Sequence, residues 1–193
     1  LRCEDQNGRF LSQASIPGMH PYYLSVRNDG MVYIAFLEGG LGKYEPSLNR
    51  LSQLSGLDGK FSRLAFSKDG ALLALGREDG QVVLVDATSM RRQWSQKAAT
   101  NYITWVEFSP DGKWIAAASR DCHVYVWRIG QEAVSKVLTG HSQRIWSARF
   151  SSDSTRILTC SFDCSARIWD VSSGHQIAEL PAREPDSGNG DKD

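Results

Sequence analysis

Residues 139–171, TGHSQRIWSARFSSDSTRILTCSFDCSARIWDV, hold a histidine, a serine and an aspartate (His141, Ser161, Asp163) within 23 residues. Nucleophilic hydrolysis uses these types: the serine attacks, the histidine takes its proton and the aspartate orients the imidazole. That chemistry needs an exposed serine with donors beside it for the oxyanion. Ser161 instead sits two residues before a tight turn, inside an alternating stretch, and no Gly-x-Ser-x-Gly elbow surrounds it. The serine, aspartate and tryptophan return at the same spacing as Ser119, Asp121 and Trp127, without a histidine. A catalytic set gains nothing by repeating itself in part. The trio is therefore read as structural, no catalytic residue is expected, and the chain is not read as an enzyme.

Metal binding is the second chemistry open to this stretch. Cys160, Cys164 and His141, with Cys122-His123 upstream, offer thiolate and imidazole ligands. Their spacing matches no zinc pattern, and Cys122 and Cys164 each directly follow a turn aspartate, in equivalent slots that neighbouring repeats hold apart. They are read as spectator thiols, and no metal or cofactor is expected. The glycines stand singly at turns rather than in a run that cradles phosphate. Four unevenly placed cysteines make no disulfide framework, so an intracellular, reducing compartment is expected, cytoplasm or nucleus.

The elements that must position these residues recur along the chain. RLAFSKDGALLALGREDGQVVLVD (63–86), WVEFSPDGKWIAAASRDCHVYVWR (105–128) and SARFSSDSTRILTCSFDCSARIWD (147–170) line up as copies of one unit. The turn aspartates Asp69, Asp111 and Asp153 are 42 residues apart, and a weaker copy at 24–45 puts Asp29 40 residues earlier. Each unit holds a β-rich run, a turn such as Asp111-Gly112 that closes a hairpin, a second run, another tight turn, a third run and a more polar fourth. No stretch shows a 3.6-residue period, so helix is expected to be nearly absent. Four short antiparallel strands per roughly 40 residues mark a β-propeller blade.

The expected fold is thus all-β, a β-propeller with four four-stranded blades at 20–56, 60–97, 102–139 and 144–181, all within residues 1–181. GRFLSQASI (8–16) reads as the last strand of a preceding blade, and the polar segment 182–193 as a disordered tail. The final unit already owns a fourth strand, HQIAEL, so the N-terminal strand has no blade to complete. An incomplete ring is expected, the C-terminal part of a longer propeller, with a closed four-bladed ring as the alternative. The start at Leu1 is read as processing or as a fragment.

These units resemble WD repeats. Gly140-His141 matches the repeat's Gly-His pair and Trp169-Asp170 its Trp-Asp pair. The resemblance covers roughly residues 8–181 and weakens toward the N-terminus. Ala98-Ala99 stands where unit three would carry Gly-His, Arg77 and Val85 replace the serine and tryptophan of unit two, and Tyr44-Glu45 is the remaining echo in unit one. It implies a buried hydrogen-bond relay of His141, Asp163, Ser161 and Trp169, with Ser119, Asp121 and Trp127 as a partial set in unit three and Asp79 in unit two. The physical need is plain: a buried indole N–H must find an acceptor, and a half-satisfied polar network is costly.

The resemblance also implies a non-catalytic scaffold that docks other proteins of a multi-subunit complex on one loop face. Its contact positions fall on Arg144, Trp146 and Phe162 in unit four, Tyr102, Thr104 and Arg120 in unit three, and Lys60, Ser62 and Glu78 in unit two, with Tyr22 the best candidate in unit one. Tyr, Trp and Arg are the types that anchor interfaces. A plainer role for Trp146 is packing against a neighbouring blade. Lys plus Arg (22) equals Asp plus Glu (22), so direct nucleic-acid contact is not expected. Arg91-Arg92 and the rim arginines keep a nucleic-acid- or chromatin-associated propeller as the alternative. No apolar run approaches the ~20 residues of a membrane span, and neither a membrane nor a small-molecule substrate is expected. A fainter likeness to the propellers of echinoderm microtubule-associated-protein-like proteins makes microtubule association a weaker alternative.

Overall fold

The structure, a computed structural model, describes residues 2–4, 10–13 and 17–181. The expected tail 182–193 and most of the expected strand 8–16 lie outside these. Strands β1 (Arg2–Glu4) and β2 (Phe10–Gln13) pair with each other. Four antiparallel sheets of four strands follow, each a meander in chain order. The first holds β3 (Pro21–Val26), β4 (Val32–Phe36), β5 (Leu41–Glu45) and β6 (Arg50–Leu54). The second holds β7 (Phe61–Phe66), β8 (Leu72–Arg77), β9 (Gln81–Asp86) and β10 (Arg92–Lys97). The third holds β11 (Ile103–Phe108), β12 (Trp114–Ser119), β13 (His123–Arg128) and β14 (Lys136–Thr139). The fourth holds β15 (Ile145–Phe150), β16 (Arg156–Ser161), β17 (Ser165–Asp170) and β18 (Gln176–Pro181). Among the described residues one 3-10 turn, Pro46–Leu48, is the sole helical element.

The sheets stack as blades in an arc that does not close. A middle strand is covered on both faces, so it reads as an apolar run rather than an alternating one: Ile115–Ser119 and Val124–Trp127 are buried throughout. An outer strand such as β10 is polar, with Trp94 its buried member. The core is a series of seams. Tyr33, Ala35 and Leu41 of blade 1 meet Phe61, Leu64 and Leu75 of blade 2. Ala74, Val82 and Leu84 meet Ile103, Val106 and Phe108. Ala116, Ala118 and Val126 meet Ile145, Ala148 and Trp169.

One column at the seams is always small. Ladder register places Ala35, Gly76, Ala118 and Cys160 at equivalent positions, opposite Tyr23, Arg63, Trp105 and Ser147. The inner strand of the next blade presses on this column: a Cβ on Gly76 would stand 2.5 Å from Ile103 Cγ2 and 2.8 Å from Val106 Cγ2. Hydroxyls tie successive inner strands together, Ser62 Oγ donating to the Ile103 carbonyl and Thr104 Oγ1 to the Ile145 carbonyl, each at 2.6 Å. On blade 4 the matching face carries Leu158, Cys160 and Leu180, all exposed, and no further sheet of the described residues covers it.

The repeated Ser-x-Asp turns have one wiring. Ser67, Ser109 and Ser151 donate to Asp69, Asp111 and Asp153 at 2.5–2.6 Å and accept the N–H of Leu72, Trp114 and Arg156. The residue after the aspartate adopts positive φ, 72° at Gly70 and 70° at Gly112, the region where glycine has no steric penalty. In blade 4 Ser154 takes that place at 62°, and its hydroxyl accepts the Asp111 N–H of blade 3 at 3.0 Å.

Candidate functional site

His141 lies in the loop between β14 and β15 and reaches back under the β16–β17 turn. Its Nδ1 is 2.8 Å from Asp163 Oδ2 and its Nε2 2.7 Å from Thr159 Oγ1. The Trp169 indole N–H donates to that same Thr159 oxygen at 2.9 Å. With Asp163 ionised, Nδ1–H donates to the carboxylate and the Thr159 hydroxyl donates to Nε2, so the chain of bonds is complete from Asp163 to Trp169. Burial opposes the Asp163 charge, yet hydrogen bonds from Ser165, His141 and the Ser165 and Ser142 N–H groups hold its carboxyl well below the usual carboxylate range. His141 and Trp169 are both buried.

The relay differs from the expected one in its hydroxyl. Thr159, not Ser161, joins His141 to Trp169. Ser161 Oγ donates to the carbonyls of Gln143 and Arg144 and accepts the Asp163 N–H, fixing the turn instead. Thr159 and Ser161 share one face of β16 because strand side chains alternate, and the one deeper in the blade meets the indole. Unit three departs further. Ala117 stands where Thr159 does, so Trp127 donates to Gln96 Oε1 of blade 2 at 2.7 Å, and Ser119 bonds Asn101 O and Asp121 N. Asp121 holds the Thr100 N–H and the Tyr125 hydroxyl, whose pKa burial and that bond push up. Asp79 caps Gln81 N and pairs with Arg77 at 3.0 Å, without a relay. Cys122 and Cys164 adopt positive φ in equivalent turns, and among the described residues no three His, Cys, Asp or Glu side chains converge on a metal-sized site.

The expected contact residues gather at the opposite end of the blades from the Ser-x-Asp turns. Four equivalent backbone bonds build this rim: Leu37 N–H to His20 O, Glu78 N–H to Lys60 O, Arg120 N–H to Tyr102 O and Phe162 N–H to Arg144 O, at 2.9–3.1 Å. Lys60 and Glu78 are exposed there, and the register puts His20 and Leu37 at the rim of unit one. Arg144 lies over the Phe162 ring at 3.8 Å, and Phe162 meets Trp146 edge-on at 5.7 Å. Arg120 lies over Tyr102 at 4.4 Å, and the Tyr102 hydroxyl bonds that of Tyr22, 80 residues away, at 2.8 Å. Burial first, then the Tyr22 hydrogen bond, raises the Tyr102 pKa.

Tyr102, Arg120, Arg144 and Trp146 line one cavity of about 200 Å³, together with Tyr22, Thr104 and Arg63. All four blades contribute. Tyr22 is the contact residue expected for unit one, whereas Arg63 was not singled out: it enters from an inner strand, where spacing alone does not reveal how far a side chain reaches. Trp146 is 58% exposed. A larger depression of about 400 Å³ lies at the other end, between the turns of blades 2 and 3. The carboxylates there, Asp69 and Asp111, are already engaged by their own turns. No helix of the described residues is long and apolar enough to cross a membrane.

Stacked four-stranded meanders, a Gly-His loop reaching under the following blade and a buried Trp-Asp strand define a β-propeller of WD-type blades. The sequence profile "WD domain, G-beta repeat" matches residues 91–128 and 133–170, each window pairing the outer strand of one blade with the inner three of the next. The chain belongs to the WD-repeat family. It is 32% identical over 131 residues to an uncharacterized WD repeat-containing protein of Synechocystis sp., covering 67% of this chain and 37% of that protein. It is 30% identical over 139 residues to the 77 kDa echinoderm microtubule-associated protein of Strongylocentrotus purpuratus, covering 70% and 20%. Its fold matches a chain in a crystal structure of the Mitotic Checkpoint Complex with a TM-score of 0.81 at 14% identity, covering 92% of this chain and 56% of that one. The chain thus spans well under half the length of these two sequence relatives.

Proposed function

We propose that this chain is a non-catalytic protein-docking scaffold whose contact surface is the rim cavity, with Tyr102, Arg120, Arg144 and Trp146 as anchors and Phe162, Lys60 and Glu78 around them. The observation that supports this most is convergence: four side chains from two adjacent blades line one cavity. They are the residue types that bury large area at low entropic cost. Formal charge zero speaks against a nucleic-acid backbone as the main ligand.

The test is the double substitution Trp146→Ala, Arg144→Ala, read by melting temperature and by retention of bound proteins. Truncating central anchors costs about 2–4 kcal/mol of binding, roughly 30- to 1000-fold. The expected result is lost partners with an unchanged melt. An unchanged partner set sinks the proposal.

Two other readings each have an observation in their favour. Trp146 stands where Ser62 and Thr104 stand in blades 2 and 3, and those two are buried at the seam with the following blade. A large fall in melting temperature of the double variant would place Trp146 in such a seam. The microtubule-associated relative favours the other reading, association with microtubules. Co-sedimentation with purified microtubules, absent at physiological salt, would reject it.

A further inference from the structure

The cavity carries three cations and no anion. Arg63, Arg120 and Arg144 come from blades 2, 3 and 4, and among the described residues none has a carboxylate at ion-pair distance. Arg77, Arg149 and Arg167 elsewhere each have one. Each cavity guanidinium instead lies over an aromatic ring, Arg63 over Tyr23 at 4.9 Å, Arg120 over Tyr102 and Arg144 over Phe162. Such stacking fixes the guanidinium planes; Arg63 Nη1 donates to the Ser62 carbonyl at 2.7 Å, and among the described residues the Arg120 and Arg144 guanidiniums keep their N–H donors for a ligand. The buried Arg63 Nε has no acceptor. Glu78 stands near Tyr102 and offsets part of the charge, but it does not line the cavity.

Three like charges around about 200 Å³ call for a compact counter-charge. A phosphoryl group brings roughly −1.5 to −2 and three acceptor oxygens, which suits three guanidiniums better than the single charge and two oxygens of a carboxylate. We propose that the cavity receives a phosphoryl group carried on a partner polypeptide, held between Arg63, Arg120 and Arg144. This rests on the docking reading, since the peptide must approach the same rim.

The probes are Gly-Ala-phosphoSer-Ala-Gly, its Ser and Glu counterparts, inorganic phosphate and a short oligothymidylate, titrated into the full chain by NMR of arginine Nε–H signals. The phosphopeptide is expected to bind about tenfold or more tightly than the Glu form, with no saturation by the Ser form. Arg120→Ala and Arg120→Lys should each weaken it, the first by about tenfold or more, because a lysine keeps charge without the fork. Arg63→Ala should act likewise, and the exposed Arg120 keeps the test readable if the half-buried Arg63 variant unfolds. Arg92→Ala, outside the cavity, should change nothing. Equal binding of the Glu peptide, tighter binding of the oligothymidylate, saturation by inorganic phosphate alone, or equal harm from Arg92→Ala overturns the proposal. If no phosphopeptide binds while Trp146→Ala, Arg144→Ala still loses its partners, docking stands and the phosphoryl assignment fails.

Discussion

Thr159 is the hinge of the blade 4 relay, since one hydroxyl serves both the indole and the imidazole. Thr159→Val keeps the shape but leaves two buried polar atoms unpaired. We expect a loss of about 1–3 kcal/mol, seen as a several-degree fall in melting temperature. Thr159→Ser should restore most of it, and Ser161→Ala should cost less than Thr159→Val. A Ser161→Ala variant that melts lower than Thr159→Val would contradict the wiring. Acid probes the same set. Asp163 is held below its ordinary range, and Asp153 and Asp170 are lowered to about 2. Their folded pKa values lie below the unfolded value of 3.8, so the unfolded chain takes up protons first as pH falls. Stability should be full above about pH 5 and drain away from about pH 4 down toward 2. Asp163→Asn should melt lower at neutral pH and show a shallower acid slope, measured by thermal melts across that range. Most of this relay followed from the resemblance to WD repeats, whose Gly-His, turn aspartate and Trp-Asp fall on His141, Asp163 and Trp169. Its hydroxyl did not: Thr159 and Ser161 sit on the same strand face, and depth in the blade chooses between them.

At the scale of strands and turns, period and punctuation revealed the most. Asp69, Asp111 and Asp153 marked three hairpin turns, and in each the serine two residues earlier donates to the aspartate. Unit one resisted because, besides the strand serine and tryptophan that unit two also lacks, Arg27 stands where Ser67, Ser109 and Ser151 precede their turn aspartates, and its rim residues, His20 and Leu37, emerge from strand pairing alone. Ser154 offers a test of turn against tether. Glycine there would relieve the positive φ yet lose the acceptor for Asp111 N–H, so Ser154→Gly should be nearly neutral. Ser154→Ala keeps the strain and loses the bond, and should cost about 1–2 kcal/mol in a thermal melt. If alanine proves no worse than glycine, the tether between blades contributes nothing. Gly76→Val should overpack the seam against Ile103 and Val106 and cost about 1–3 kcal/mol.

For the whole molecule, the open face of blade 4 departs from a finished core among the described residues. Leu158, Cys160 and Leu180 occupy places that Ala116, Ala118 and Leu138 fill in blade 3, where they are fully or almost fully buried. Cys160 is therefore a built-in reporter. A small maleimide should label it quickly in the isolated chain, and the face should bind a hydrophobic dye that Leu158→Lys, Leu180→Glu reduces. Slow labelling with weak dye binding would mean that the face is covered in solution. The four-blade arc was visible in the sequence, and the resemblance placed Tyr22, Tyr102, Thr104, Arg120, Arg144 and Trp146 on one face; that they wall a single cavity with Arg63 was not visible, because the wall joins residues up to 124 positions apart, Tyr22 to Trp146. Set side by side, the two columns of the repeat obey opposite rules. The seam column is Ala35, Gly76, Ala118, Cys160; the rim column is His20, Lys60, Tyr102, Arg144. One column tolerates only small side chains and the other has tried four chemistries in a single molecule. A library randomised at the rim column alone would thus explore new binding specificities while leaving every seam as it is, which makes this arc a template for selecting binders.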